Sequence, residues 1–178
     1  ASYATNDNLA DDTTAVVLEI LQDDERSSLK HQKLPIIKNL QVAQELDGYK
    51  LKRSLNDNTW LADKKTKEYI VKFAPKRAID DENLLDLFVK EAWNAKRLKA
   101  SFFPKAVIPK NRSYRYYVMQ RIEGEDLHDF LKQKTLTIDD AVGLGKILLQ
   151  MSQFLLRYDL VHGDIKPQNI MIEKKAQA

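Results

Sequence analysis

Residues 162–169 read His162-Gly163-Asp164-Ile165-Lys166-Pro167-Gln168-Asn169, and the meaning of the rest of the chain turns on this stretch. It offers a carboxylate at Asp164, a cation two residues later at Lys166 and an amide at Asn169. Phosphoryl transfer needs these three groups. A carboxylate accepts the proton of an attacking hydroxyl. An ammonium neutralises charge on the moving group, and an amide oxygen holds Mg2+, which prefers oxygen ligands. Pro167 stiffens the loop between them. The same loop also reads as a capped turn whose Asp and Asn bond the local backbone, and both readings stand until the neighbouring segments are considered.

Immediately upstream, Thr137 followed by Asp140 opens a long helix with a capping-box signal. Ala141, Leu144, Leu148, Met151, Leu155 and Tyr158 form its apolar stripe. Gly124 breaks the preceding pattern, and Tyr114–Arg121 and Val107–Pro109 read as strands. Asp80–Ala100 reads as a helix, with Leu84, Leu87, Phe88, Ala95 and Leu98 at helical spacing and Asp80 and Asp81 near its start. Glu68–Phe73 alternates: Tyr69, Val71 and Phe73 share one face, Ile70 and Lys72 the other. Tyr49–Leu55 and Thr59–Asp63 read as strands around the polar turn Asn56-Asp57-Asn58. A sheet-rich region therefore precedes a helical one, an α+β arrangement.

Two charged residues stand out within these elements. Lys72 lies in mid-strand beside Ile70 on a face that opens either on a cleft or on solvent. Glu91 falls four residues after Leu87 and four before Ala95, on the apolar stripe of its helix. A carboxylate buried there is costly unless paired, and Lys72 is the apt partner. Such a pair would hold the ammonium against ATP phosphates. The alternative places Glu91 at the edge of the stripe, reaching solvent.

Composition narrows the class. The 178 residues carry a net charge of +3, too small to argue for nucleic acid or an anionic membrane surface. An apolar share of 43% supports a packed core. There is no Cys, hence no disulfide framework. No apolar run approaches a membrane span, and no signal-peptide pattern shows, so a cytoplasmic protein is expected.

Tyr69-Ile-Val-Lys72, Glu91 on the following helix and His162-Gly-Asp-x-Lys-x-x-Asn169 resemble the protein-kinase family in order and spacing over roughly residues 46–178. Tyr117-Val-Met-Gln-Arg-Ile-Glu-Gly-Glu-Asp-Leu127 looks like that family's hinge between lobes. The resemblance implies a protein-kinase-like fold: an antiparallel five-stranded N-lobe with one helix (46–122), then the start of a helical C-lobe (123–178). It implies Asp164 as catalytic base, Lys166 as stabiliser of the transferred phosphoryl and Asn169 as a Mg2+ ligand. Lys72 and Glu91 would grip the nucleotide, Ile70 would be a further cofactor-binding residue on the Lys72 face, and Met119 would border the rear of the adenine pocket. The backbones of Gln120 to Ile122 would bond the base, and Asp126 would reach the ribose. The cofactors implied are ATP and Mg2+, and the partner is a protein bearing Ser or Thr hydroxyls. His162 resembles the family histidine that packs and orients this loop. Small-molecule kinases, such as the antibiotic phosphotransferases, also carry His-Gly-Asp, and a pseudokinase or adaptor lobe is a further rival.

At the other end, Asn8-Leu-Ala-Asp-Asp-Thr-Thr-Ala-Val-Val-Leu18 resembles the last strand of metal-dependent, type 2C-like phosphatases. There Asp11 would ligate Mn2+ or Mg2+. The whole is then similar to bacterial phosphatase–kinase fusions, with residues 1–21 as the phosphatase strand and 22–45 as linker. Three departures from the kinase pattern are visible. The turn Leu55-Asn-Asp-Asn-Thr-Trp60 has no glycine, although glycines let backbone amides approach phosphates, and Asn58 or Thr59 is expected to supply part of the grip. Gly163 replaces the usual Arg. Ala178 precedes any Asp-Phe-Gly segment, so a truncated domain with little activity of its own is expected.

Overall fold

The structure is a computed structural model that describes residues 28–29 and 32–173. Asp11, the strand expected over Thr14–Leu21 and the first part of the expected linker lie outside the described residues. The chain forms two compact units, one holding Asp126–Ile170 and the other the described residues up to Glu125 with Met171 onward.

The larger unit is built on strands β1 (Glu45–Leu46), β2 (Tyr49–Ser54), β3 (Thr59–Lys64), β4 (Lys67–Phe73), β5 (Ala106–Val107) and β6 (Tyr116–Gln120). They form one sheet in the order β1-β2-β3-β4-β6-β5, antiparallel at every pairing. Alternation along β4 does what period two dictates. Val71 and Phe73 join Tyr49, Leu51, Trp60, Ala62, Tyr116 and Val118 in one core cluster, with Tyr69 packed against it. The opposite face carries helix α1 (Glu82–Arg97), whose Phe88 and Ala92 pack with Ala74 and Tyr117. Asp81 caps α1, its Oδ1 accepting the amides of Asn83 at 2.9 Å and Leu84 at 3.2 Å.

Three features differ from the sequence expectation. The sheet has a sixth strand, β1, because Asp47 (φ 51°) and Gly48 (φ 80°) make a tight hairpin with both turn residues left-handed. The buried stripe of α1 is Phe88, Val89, Ala92 and Trp93, while Leu87 is 42% exposed. Residues 28–29 and 32–40, expected as linker, are partly core. Leu29 packs on Val89 and Trp93 of α1, and Ile37 joins the sheet cluster. Two buried arginines fasten this strap: Arg115 Nε donates to Leu34 O and Nη2 to Gln32 O, and Arg112 Nη2 donates to Gln32 Oε1 at 2.6 Å.

The smaller unit contains helix α2 (Leu127–Gln133) and helix α3 (Ile138–Leu156). Helix α2 was not anticipated. Helix α3 begins with the expected capping box: Asp140 N donates to Thr137 Oγ1 at 3.1 Å, and Thr137 N donates to Asp140 Oδ2 at 3.2 Å. Its stripe narrows to Met151 and Leu155 as the fully buried positions. Past its end, Asp159 takes a left-handed φ of 54°, and the buried Leu160 donates its amide to Leu155 O at 3.0 Å. This stop delivers the chain to His162. A separate pair of strands, β7 (Gly124–Asp126) and β8 (Met171–Glu173), completes the described structure. Among the described residues no helix is long and apolar enough to cross a membrane.

Candidate active site

In the larger unit, β4 presents Lys72 and α1 presents Glu91 toward one another. Lys72 Nζ lies 2.6 Å from Glu91 Oε1, with side chains 18% and 24% exposed. At that exposure most of the pair is shielded from water, and its geometry fixes the ammonium at a definite place on the sheet. Register explains the rest of the surroundings. Lys72 stands opposite Tyr117 and Ile70 opposite Met119 across the β4–β6 pairing. Tyr117 Oη donates to the same Glu91 Oε1 at 2.5 Å. Burial first, then the neighbouring Glu91 charge, raises the Tyr117 phenol well above its ordinary pKa, so it remains a donor. The sequence reading missed Tyr117, which sits in an apolar strand and becomes informative only once the register opposite Lys72 is known.

The strand running toward the expected hinge ends at Gln120, whose amide bonds Lys105 O at 2.8 Å, and Ile122 follows half-buried. A cavity of about 470 Å³ lies beside it, lined by Gln120 and Ile122 with Lys96, Lys99, Lys105 and Phe103. Lys72, Glu91 and Met119 do not line it, so it is a neighbour of the hinge strand and separate from the Lys72–Glu91 pair.

The glycine-free turn is closed on itself. Asn56 Oδ1 accepts the amides of Asn58 at 3.2 Å and Thr59 at 2.9 Å, and Leu55 N donates to Thr59 O at 2.8 Å. Asn58 Nδ2 donates to Phe73 O at 3.0 Å, and Thr59 is buried. The expected phosphate donors are therefore engaged: the Asn58 and Thr59 amides within the turn, and the Asn58 side chain on the end of β4.

In the smaller unit, residues 162–169 fold into a tight constellation. Asn169 Nδ2 donates to Asp164 Oδ2 at 2.7 Å and to Asp164 O at 3.0 Å. Lys166 Nζ lies 3.3 Å from Asp164 Oδ2. Pro167–Asn169 form a single 3-10 turn that brings residue 169 back to residue 164. His162 Nδ1 accepts the Asp164 amide at 3.3 Å. Burial lowers the His162 pKa, partly opposed by the Asp164 charge, so the neutral ring is favoured, as this acceptor role requires. Gly163 bends the loop at φ 76°, where glycine is least strained. Asp126 caps α2, its Oδ1 accepting the Asp129 amide at 2.8 Å. Asp126, His128 and Asp129 bring three ligand atoms within 4.8 Å of one another, but Asp129 also pairs with Lys132 at 2.8 Å, and capping accounts for the cluster.

The protein kinase domain matches residues 58–178. The chain belongs to that family. Over 97 residues the kinase is 34% identical to mitogen-activated protein kinase kinase 10 of Arabidopsis thaliana, covering 53% of this chain and 32% of that protein. A probable serine/threonine-protein kinase of Clostridium perfringens is 31% identical over 61 residues, covering 34% of this chain and 9% of its own. In fold, the kinase domain of Mycobacterium tuberculosis PknI is similar at a TM-score of 0.61 and 17% identity, over 78% of this chain and 58% of that one. The chain thus spans about a third or less of the curated relatives it matches. Kinase membership implies ATP and a divalent cation such as Mg2+. The donor set suits such a cation: the Asn169 amide nitrogen makes both bonds to Asp164, leaving its Oδ1 out of them, beside an oxygen-bearing carboxylate.

Proposed function

We propose that the full-length protein is a serine/threonine protein kinase of bacterial type that transfers the γ-phosphoryl of Mg-ATP to a protein hydroxyl. The observation that carries this reading is the Lys72–Glu91 pair at 2.6 Å, an ammonium held on the sheet by the following helix. Lys72 would meet the phosphates, with Ile70 and Met119, neighbours across β4 and β6, bordering the adenine. The backbones of Gln120 and Ile122 would bond the base, and the Asp126 oxygen not used in capping would face the ribose. Asp164 accepts the hydroxyl proton, and Lys166, 3.3 Å from it, balances the charge that develops. Asn169 Oδ1 would hold the Mg2+, which neutralises phosphate charge when bound. His162 orients Asp164 through its amide and takes no part in proton transfer. Lys166, two residues after Asp164, favours a protein hydroxyl over a small-molecule one.

In this reading residues 46–122 are the nucleotide lobe and 123–178 begin the substrate lobe. Residues 1–21, with Asp11 as an Mn2+ or Mg2+ ligand, would close a metal-dependent phosphatase domain; the sequence over Asn8–Leu18 supports this. A second reading, an adaptor lobe without catalysis, is favoured by one observation: the β2–β3 turn spends its amides on Asn56 rather than offering them to phosphate.

Incubating the full-length protein with radiolabelled ATP and Mg2+ separates the two. The kinase reading expects acid-stable label on Ser or Thr, and an Asp164→Asn variant slower by about 100-fold or more. Absence of label would leave the adaptor reading, and equal labelling by Asp164→Asn would overturn Asp164 as the base.

A further inference from the structure

The Glu91 Oε1 that takes the Lys72 ammonium at 2.6 Å also takes the Tyr117 hydroxyl at 2.5 Å. Tyr117 is 2% exposed and stands opposite Lys72 in the sheet register. Its ring packs against Phe88, one helical turn before Glu91, with centroids 5.8 Å apart. It therefore reaches from β6 to α1 by both ring and hydroxyl. We propose that Tyr117 is a positioning residue for the phosphate-binding lysine: its hydroxyl fixes the Glu91 carboxylate, and α1 with it, so that Lys72 is presented at one place. This rests on the kinase reading above.

The physical reason is that Lys72 has two anionic claims on it. When its ammonium turns toward a phosphate, Glu91 loses part of its cation. A half-buried carboxylate left without a donor is costly. Tyr117 supplies a donor that does not depend on the nucleotide, because burial keeps the phenol protonated. The carboxylate then stays in place through binding and release. Without the hydroxyl, Glu91 is free to swing to solvent and α1 to drift from the sheet.

The test is a double-mutant cycle in the full-length protein with Tyr117→Phe, Glu91→Gln and the pair, with Lys72→Met as reference. Steady-state transfer from Mg-ATP is measured at 25 °C together with amide hydrogen exchange of the nucleotide-free protein. Tyr117→Phe is expected to lower kcat/KM for ATP about tenfold, mostly through KM, the size of one hydrogen bond to a charged group. Exchange should quicken across Glu82–Arg97 but not across β2 and β3. In the Glu91→Gln background the same substitution should change neither readout further. A Tyr117→Phe protein with a lower Tm but unchanged kcat/KM and α1 exchange overturns the proposal and leaves the kinase reading intact. Wild type and Lys72→Met that are alike in ATP kinetics would sink the kinase reading, and this proposal with it.

Discussion

Asp47 shows how one side chain ties distant segments together. Its carboxylate accepts the Ser113 amide at 2.8 Å, the Ser113 hydroxyl at 2.6 Å and the Tyr116 hydroxyl at 2.7 Å. Burial works to raise its pKa, but these donors and Lys64 together hold it below the ordinary 3.8. A lowered folded-state value stabilises the fold above the ordinary carboxylate range, and that contribution is lost as pH falls through the folded value. Thermal melts of Asp47→Asn against wild type should therefore show a gap at pH 7 that closes below about pH 4; a gap independent of pH would contradict this. Asn94 is the opposite case. It is 3% exposed on α1, and neither its Oδ1 nor its Nδ2 has a partner. Asn94→Leu should gain about 1 kcal/mol in denaturant unfolding, since it removes two buried orphan groups while keeping the branching of the side chain. Gly124 is fixed by space: a Cβ there would overlap the Ile172 carbonyl. Gly124→Ala should cost about 1–3 kcal/mol and speed exchange in β7 and β8.

Among the elements, the strap of residues 28–29 and 32–40 has a measurable physical consequence. Leu29 seats on Val89 and Trp93, on the face of α1 that Tyr117 does not touch, so α1 is held from two sides. Leu29→Ala should cost about 2–3 kcal/mol in urea unfolding and raise exchange in α1; an unchanged α1 would mean the strap is a passenger. Sequence reading found β2, β3, β4, β6 and both long helices because alternation and helical spacing are local signals. It lost the strap because the lone Leu29 and the short apolar run Leu34-Pro35-Ile36-Ile37 carry no helix or strand period, and their burial depends on Arg112 and Arg115, some 80 residues away in sequence. It lost β1 although Asp47-Gly48 is a strong hairpin pair, since two residues of strand carry no period. It placed Leu87 inside because spacing alone does not set where the stripe is centred.

For the whole molecule, the legible part of the site was its charge logic. Lys72 and Glu91 meet as a carboxylate set among the apolar positions of its helix requires, and Asp164, Lys166 and Asn169 share one short loop that the sequence itself dictates. The third partner, Tyr117, and the closed Asn56 turn were not legible, because both depend on cross-strand register and side-chain direction. In the proposed kinase reading the nucleotide site is then anchored by the lysine and its supports rather than by loop amides. Lys72 should then carry an unusually large share of ATP affinity. The most direct test is a titration of the full-length protein with Mg-ATP, comparing Kd for wild type and Lys72→Met. The account predicts saturable wild-type binding, weakened by Lys72→Met about 30-fold or more, the order of a desolvated charge-assisted contact. Equal affinities in the two proteins would contradict it.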